Sequence, residues 1–210
     1  MSLDVNYDYC EPGYIKHLMT MYPVSDGDDL LLNCVKTNNK SLLKKLIDCG
    51  YNVNKVYTNY LGPHKYETTL LIEAVFMNNV DIVDLLLASN VNVNEIIIDL
   101  HPKFVKLYSE YTLYDIDALK IAILNGSTEI SLKLIDQGSN VNRKINSNET
   151  YLMHCCKLGY KTIADVLIDF GAKVDETNGI IYRTKAADYA IKNGYIALYD
   201  KLVNKEKEKT

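Results

Sequence analysis

The chain lacks several features that would place it in other classes of protein. None of its 210 residues lies in an apolar run of the roughly 18 residues that a membrane helix requires. The opening segment, MSLDVNYDYCEPGY, has three acidic and no basic side chains, which argues against a secretory signal peptide. The formal net charge is −4, so a broad basic face for nucleic acid is not expected either.

Motifs of enzymes and metal sites are also missing. The sequence contains no H-E-x-x-H, no C-x-x-C, no phosphate-binding G-x-x-x-x-G-K-[S/T] and no G-x-S-x-G nucleophile turn. Its five cysteines are interpreted as reduced cytosolic thiols, because nothing indicates export. His154, Cys155 and Cys156 suggest metal ligands, but consecutive side chains on a helix point about 100° apart, which is poor metal geometry. We therefore expect no cofactor, no metal and no enzymatic activity.

Two scarce amino acids point to the source of the chain. Tryptophan is absent, and only Arg143 and Arg183 are arginine among 23 basic residues. Lys, Asn, Ile and Tyr, by contrast, are abundant. These residues have A/T-rich codons, and such usage is typical of many large DNA viruses, obligate intracellular bacteria and some protists. We interpret it as a property of the genome and not of the fold.

What the sequence does contain is an internal repeat. Four short motifs end in Val-Asn or Val-Asp, at residues 52–54, 92–94, 140–142 and 173–175. A residue that can cap a helix opens each unit, and Gly or Asn follows nine residues later and again after twelve more. The opening residues are Asp29, Thr69, Asp117 and Thr150. Each unit therefore predicts two short helices, and the apolar stripe of the second must be buried against a neighbouring pair.

The unit at residues 150–175 is the clearest copy, and it carries a family resemblance. It reads T-Y-L-M-H-C-C-K-L-G-Y-K-T-I-A-D-V-L-I-D-F-G-A-K-V-D. This resembles the ankyrin repeat pattern T-P-L-H-x-A-A-x-x-G-H-x-x-V-V-x-L-L-L-x-x-G-A-x-V-N, and the resemblance extends over residues 29–203. The units depart from it at the Pro and His positions, as at Tyr151 and Lys120. The resemblance implies an all-α fold, an ankyrin repeat solenoid of stacked helix-turn-helix units with extended β-hairpin fingers; an unrelated array of helical hairpins is the alternative.

The spacing divides the chain into repeats, insertions and ends. The predicted repeats are 29–54, 69–94, 117–142, 150–175 and 185–203, with insertions at 55–68 and 95–116. Residues 1–28 are expected to form an N-terminal capping helix, because terminal repeats need an atypical outer surface. The last repeat is expected to cap the other end. Residues 204–210 are expected to be a charged, frayed tail.

The two insertions are rich in tyrosine. In the family these segments form hairpin fingers, and insertions in repeat proteins often serve binding. Tyrosine gives large contact areas at small entropic cost, so we expect tyrosines of the fingers to contact a partner. The residues concerned are Tyr57, Tyr60, Tyr66, Tyr108, Tyr111 and Tyr114. The spacing of Phe104, Leu107, Tyr108 and Tyr111 also predicts a short amphipathic helix, whose apolar face could instead pack back onto the repeats.

A second candidate surface comes from the resemblance. In the ankyrin fold, the residues just before the end of the first helix of each unit line a concave groove. In this chain that end is marked by the first Gly or Asn of the unit. Here these positions include Lys36, Phe76, Met77, Leu124, Lys157 and Leu158. The apolar members would form a strip flanked by Lys36 and Lys157, with Lys192 further along, which is typical of a protein-binding site. The alternative is that a long finger folds over the strip and buries it.

These observations favour a non-enzymatic protein-binding module. The lysines beside the strip predict a partner with an acidic or phosphorylated segment. Together with the codon usage, the resemblance suggests a viral or pathogen protein that sequesters a host signalling factor in the host cytoplasm. We expect it to be a monomer when free and to bind neither nucleic acid nor membrane. A structural scaffold or assembly subunit within its own organism is the alternative.

Overall fold

The computed structural model describes residues 30–61, 64–98, 115–146, 148–179 and 183–208, with the backbone alone for residues 59–61, 64 and 65. The chain divides into two compact units, Met1–Asn92 and Val93–Thr210. Helices predominate in the described part of each unit, and the strands are confined to short hairpins. The predicted fold of helical repeats with hairpin loops is confirmed.

The first unit contains two helical hairpins joined by a β-hairpin. Its helices are α1 (Leu30–Lys36), α2 (Lys40–Asp48), α3 (Leu70–Phe76) and α4 (Val80–Leu87). The strands β1 (Tyr57–Leu61) and β2 (His64–Thr68) are antiparallel, and Tyr57 pairs with Thr68. Helix α1 packs against α3 and α2 packs against α4, so the first helices and the second helices form separate layers. The core lies between these layers, where Leu43 and Ile82 are fully buried.

The second unit contains three helical hairpins. Its helices are α5 (Ala118–Leu124), α6 (Thr128–Asp136), α7 (Tyr151–Leu158), α8 (Lys161–Asp169), α9 (Ala186–Lys192) and α10 (Ile196–Lys207). Helix α7 packs against α5 and α9, and α8 packs against α6 and α10. The fingers are reduced to single antiparallel bridges in the described part of this unit, at Ile97–Ile116, Lys144–Thr150 and Asn178–Thr184.

The residues that open the repeats cap their helices as predicted. The Thr69 Oγ1 accepts a hydrogen bond from the backbone N–H of Ile72 at 3.1 Å. Asp117 and Thr150 accept in the same way from the N–H three residues later. Each cap satisfies a backbone donor that would otherwise be left without a partner at the helix start. Asp29, the first predicted cap, lies outside the described residues.

The helices end, as predicted, at the Gly or Asn residues spaced through each repeat; we call these residues the stops. All nine have positive φ angles, between 52° and 86°. They are Asn38, Gly50, Asn78, Asn90, Gly126, Gly138, Gly159, Gly171 and Gly194. This left-handed conformation is easy for Gly and tolerable for Asn, but it costs other residues more. The two stops of each repeat therefore fix where its helices end.

The Asn of each Val-Asn motif joins its repeat to the next one. In the first unit, Asn54 donates to the carbonyl of Asn90 and accepts from the N–H of Asn92. In the second unit, Asn142 does the same with Gly171 and Lys173, at 3.3 and 2.8 Å. The amide side chain thus bonds both to the carbonyl of the Gly or Asn that follows the neighbouring helix and to the N–H two residues further on.

The ends of the chain differ from the sequence-based expectation in one respect. Helix α10 continues to Lys207, so residues 204–207 of the predicted charged tail are helical, whereas residues 209 and 210 lie outside the described residues. Lys185 forms an ion pair with Glu206, and Lys205 pairs with Glu208 at 3.0 Å, which explains why the helix extends. The predicted capping helix at 1–28 and the helix predicted around Phe104 lie outside the described residues.

Candidate protein-binding surface

The predicted groove residues of the first unit lie at helix ends. Lys36 ends α1 and Phe76 ends α3, and both are half-buried. Met77 follows as the C-cap of α3 and is 42% exposed. Of these three side chains, Met77 therefore offers an apolar group to solvent in this unit.

The corresponding residues of the second unit give a better-defined surface. Leu124 ends α5 and is half-buried, whereas Leu158 ends α7 and is 46% exposed. Lys157, one residue earlier, is also exposed, and Lys161 begins α8 immediately after the turn. We call Lys157, Leu158 and Lys161 the α7 tip. It combines one exposed apolar side chain with two basic ones.

The backbone of the α7 tip is held by the next repeat. The Asn193 Nδ2 donates to the carbonyl oxygens of Cys156 and Lys157, at 3.2 and 3.0 Å. The Tyr195 hydroxyl lies so close to Gly159 that an added Cβ would meet it at 2.5 Å. Gly159 also has a φ of 82°, a left-handed conformation that favours glycine. The next repeat therefore contacts the turn that presents Leu158 on both its backbone carbonyls and its glycine.

The two lysines of the α7 tip have different electrostatic surroundings. The Lys161 Nζ lies 4.4 Å from the centre of the Tyr195 ring, in a cation–π contact. Lys161 has no ion pair within the described ranges. Lys157, by contrast, lies 3.7 Å from the Glu149 carboxylate, so part of its charge is already balanced within the chain.

Glu149 is the centre of a buried polar group beneath this surface. It contacts the His154 Nδ1 at 3.1 Å and the Asn146 side chain at 3.4 Å, as well as Lys157. Burial opposes ionisation of this carboxyl, but the hydrogen bond and charge of His154, with help from Lys157 and Asn146, outweigh it and lower the pKa of Glu149. Sequence reasoning placed Lys157 on the surface but did not find its buried partner.

A second buried network ties α5 to α7. The Asp117 carboxylate caps α5, accepts from the Tyr151 hydroxyl and lies 3.3 Å from the Arg143 Nε. Burial raises the pKa of Asp117, and the N–H of Lys120, Arg143 and Tyr151 offset that effect only in part. Burial likewise lowers the pKa of Lys120, which is 1% exposed one helical turn after the cap. The network joins residues at which the units depart from the family pattern.

The tyrosines expected in the fingers need a correction. Tyr57 and Tyr66 are 2% and 5% exposed, so both side chains belong to the core of the first unit and are not free to contact a partner. The β-hairpin turns them inward because alternate residues of a strand face the same side. The side chain of Tyr60, and the whole of Tyr108, Tyr111 and Tyr114, lie outside the described residues.

The cysteines also depart from expectation at one position. Cys49 is disulfide-bonded, so the prediction of reduced thiols is wrong there. Cys34, Cys155 and Cys156 are free and buried. Burial raises the pKa of Cys155, and it raises that of Cys156 to about 12. A thiol must lose its proton to bind a metal, so these two side chains are poor ligands, as their place in the helix core implies.

Comparison with protein families decides the identity of the repeats. A model described as ankyrin repeats (3 copies) matches residues 101–178 and 119–210, and a model described as ankyrin repeat matches residues 66–97. The chain belongs to the ankyrin repeat family. The helical hairpin α1–α2 has the same stop spacing, although the matched ranges begin after it. The comparison with curated proteins finds no match to the chain.

Membership of the ankyrin family indicates the general role of the chain. Ankyrin repeats bind other proteins, and they are typically interaction modules without catalytic activity. The helices of the described ranges include none with the length and apolar character needed to cross a bilayer.

Proposed function

We propose that this chain binds a partner protein through the α7 tip, without catalysing a reaction. The observation that supports this most is the exposure of Leu158, at 46%, on a turn that Asn193 and Tyr195 hold in place. An exposed leucine next to charged side chains is a common feature of protein-binding sites. Met77 is a separate exposed apolar side chain of the first unit.

The partner segment carries a negative charge beside an apolar side chain. Lys161 has no ion pair within the described ranges, and its Nζ lies over the Tyr195 ring, 4.4 Å from the ring centre, which holds the ammonium group near the α7 tip. A carboxylate or phosphate on the partner would complement Lys161 and Lys157 while an apolar group covers Leu158. Lys157 contributes less to this attraction, because Glu149 already lies 3.7 Å away.

Preorganisation accounts for how a small surface can bind. The α7 tip consists of the last two residues of α7 and the first residue of α8, so it is already folded before the partner binds. Binding therefore loses little backbone entropy, and the affinity depends on the side chains that are already in place. The partner class we propose is a host signalling factor, on the basis of the A/T-rich amino-acid usage.

A titration with synthetic peptides tests the chemistry of this site. Three peptides share one sequence with a central leucine, flanked by glutamate, by phosphoserine or by glutamine. We expect the first two to shift the NMR amide signals of residues 157–161, with weaker shifts at high salt. The stronger of the two tells whether carboxylate or phosphate is preferred. Equal shifts with the glutamine peptide, or no shifts at residues 157–161 with any of them, would contradict the proposal.

A further inference from the structure

Lys157 of the α7 tip already has a charged partner inside the chain. Its Nζ lies 3.7 Å from the Glu149 Oε1, and the lysine side chain is 48% exposed whereas that of the glutamate is 8% exposed. Burial favours the neutral acid, but the hydrogen bond and charge of His154 and the charge of Lys157 lower the pKa of Glu149, so the carboxylate is ionised at neutral pH. A partner anion that approaches Lys157 from solvent therefore meets a lysine that is held from the other side.

The position of the Glu149 carboxylate is set by the hairpin before α7. The Glu149 N–H donates to the Asn146 Oδ1 at 2.9 Å, and its carbonyl oxygen accepts from the N–H of Ile145 at 2.8 Å. His154 and Lys157 are three residues apart on α7, so they share one face of the helix. Both contact the same carboxylate oxygen, Oε1, at 3.1 and 3.7 Å. The carboxylate is thus in place before any partner binds.

The fold of a repeat does not require an acid at the Glu149 position. The residue before the helix start is Thr68, Ile116 or Thr184 in the other described repeats, and the first two of these are buried, as Glu149 is. Burying a carboxylate costs free energy unless hydrogen bonds and opposite charge compensate it. The acid of this repeat therefore depends on the polar partners that surround it.

The first unit contains the same contact without a lysine. The Thr68 Oγ1 donates to the Glu73 Oε2 at 3.3 Å, and Glu73 occupies the repeat position of His154. Three residues later α3 ends in Phe76, where α7 has Lys157. A hydrogen bond between these two repeat positions is therefore compatible with a repeat that has no lysine nearby. The lysine contact in α7 is an addition to it, at a residue of the α7 tip.

We propose that Glu149 competes with the partner's anionic group for Lys157, and so determines how strongly the α7 tip prefers charged partners to neutral ones. This inference rests on the proposed function of the α7 tip. When Lys157 turns towards a partner anion, the carboxylate keeps His154 and Asn146, so no buried charge is left without a partner. The apolar contact of Leu158 does not involve the competition, and a neutral partner is therefore unaffected by it.

Acetylation of lysine amines tests the hold of Glu149 on Lys157 without any partner. An amine held by a carboxylate reacts more slowly than a free one. N-hydroxysuccinimide acetate should therefore label Lys157 about twofold faster, relative to Lys161 of the same molecule, once the charge of Glu149 is removed. Glu149→Gln removes the charge, and Glu149→Thr introduces the residue that two other repeats carry there. Thermal unfolding checks that both variants are folded.

The labelling has a matched control. Glu129→Gln, at an exposed glutamate on α6, should leave the ratio of Lys157 to Lys161 labelling as it is in the wild type. Peptide mass spectrometry measures the ratio in all four proteins. A ratio that neither change of Glu149 raises would overturn the proposal, because Lys157 would then not be held by the carboxylate.

Titration with the glutamate and glutamine peptides measures the competition itself. The dissociation constant of the glutamate peptide should fall about two- to fivefold in Glu149→Gln, the range expected for an ion pair with one exposed member, and that of the glutamine peptide should not change. Lys157→Ala should weaken binding of the glutamate peptide more in the Glu149→Gln background than in the wild type.

The outcomes separate this inference from the function on which it rests. If the wild type binds the glutamate peptide and Glu149→Gln binds it no more tightly, the competition is overturned and the binding role of the α7 tip stands. If no form of the protein binds either peptide, the proposed function fails, and the competition fails with it.

Discussion

The Tyr151 hydroxyl lies 3.0 and 2.9 Å from the two carboxylate oxygens of Asp117, and both side chains are almost fully buried. Asp117 caps α5, whereas Tyr151 begins α7, so one contact joins the starts of two successive inner helices. Where the family pattern has Thr and Pro, this chain has a hydrogen-bonded acid and phenol. The pair is a specific replacement for the contacts that the usual residues make.

Removing the hydroxyl should therefore weaken the fold. In Tyr151→Phe the ring still fills its site, but the buried Asp117 carboxylate loses a donor, which should lower the free energy of unfolding by about 1–3 kcal/mol. Urea denaturation followed by circular dichroism measures this. Tyr199→Phe, at a partly exposed tyrosine, is the control and should change stability little. Equal effects of the two changes would contradict the role given to Tyr151.

The cap and the charge of Asp117 can be separated. Asp117→Ala removes the helix cap and leaves the Tyr151 hydroxyl without its acceptor, so it should cost about 2–3 kcal/mol. Asn caps a helix as well as Asp does, so Asp117→Asn should lie within about 1 kcal/mol of the wild type. A comparison of the urea unfolding curves of both variants at neutral pH distinguishes the contribution of the cap from that of the charge. If Asp117→Asn were as damaging as the alanine change, the negative charge, and not the cap, would be the stabilising feature.

The direction of the Asp117 pKa shift gives this comparison a pH dependence. Because burial raises the pKa of Asp117 in the folded state, the group stabilises the fold below its ordinary value of 3.8 and loses that contribution as pH rises through the folded-state pKa. The stability of the wild type relative to Asp117→Asn should therefore decline as pH rises. Unfolding curves between acidic and neutral pH measure the difference, and a relative stability that increases with pH would contradict it.

Glu149 should give the opposite pH dependence. Its pKa is lowered in the folded state, so its contribution is present above the ordinary value of 4.5 and is lost as pH falls through the folded-state pKa. Glu149→Gln should remove this part of the acid destabilisation, so that its unfolding free energy falls less steeply below that value. Glu129→Gln, at an exposed glutamate on α6, is the control. An unchanged slope in Glu149→Gln would show that the buried contact with His154 contributes nothing to folding.

The asparagine contacts between repeats predict a graded effect. Asn142→Ala removes both the donor to Gly171 and the acceptor from Lys173, and should lower stability by about 1–2 kcal/mol. Asn142→Asp keeps the acceptor alone and should lie between the alanine variant and the wild type. Thermal unfolding of the three proteins gives the order. An alanine variant as stable as the wild type would mean that these exposed hydrogen bonds do not hold the repeats together.

Local signals in the sequence were sufficient to predict the helices. Thr69 and Thr150 are strong cap residues, and Gly159 and Gly171 are strong stops, so their spacing alone places the helix ends. Such signals depend on residues close together in the chain, and a single sequence displays them directly. The same holds for the extra length of the first finger, which the structure forms as β1 and β2.

Contacts between residues far apart in sequence could not be predicted in this way. Tyr57 and Tyr66 have the composition of a contact surface, yet the hairpin register turns them into the core. Asp117 and Tyr151 are 34 residues apart, and nothing in either repeat alone indicates that they meet. The length of α10 likewise depends on the ion pair between Lys185 and Glu206, which brings the start of α9 to the end of α10.

The binding role of the α7 tip is tested most directly by affinity purification with matched variants. The wild type, Leu158→Glu and Phe170→Glu are immobilised, exposed to the same host-cell lysate and compared by quantitative mass spectrometry. Phe170 is 50% exposed at the end of α8, so its variant controls for the loss of an exposed apolar group. The account predicts at least one protein that the wild type and Phe170→Glu retain and Leu158→Glu loses. The same set of proteins on all three would contradict it.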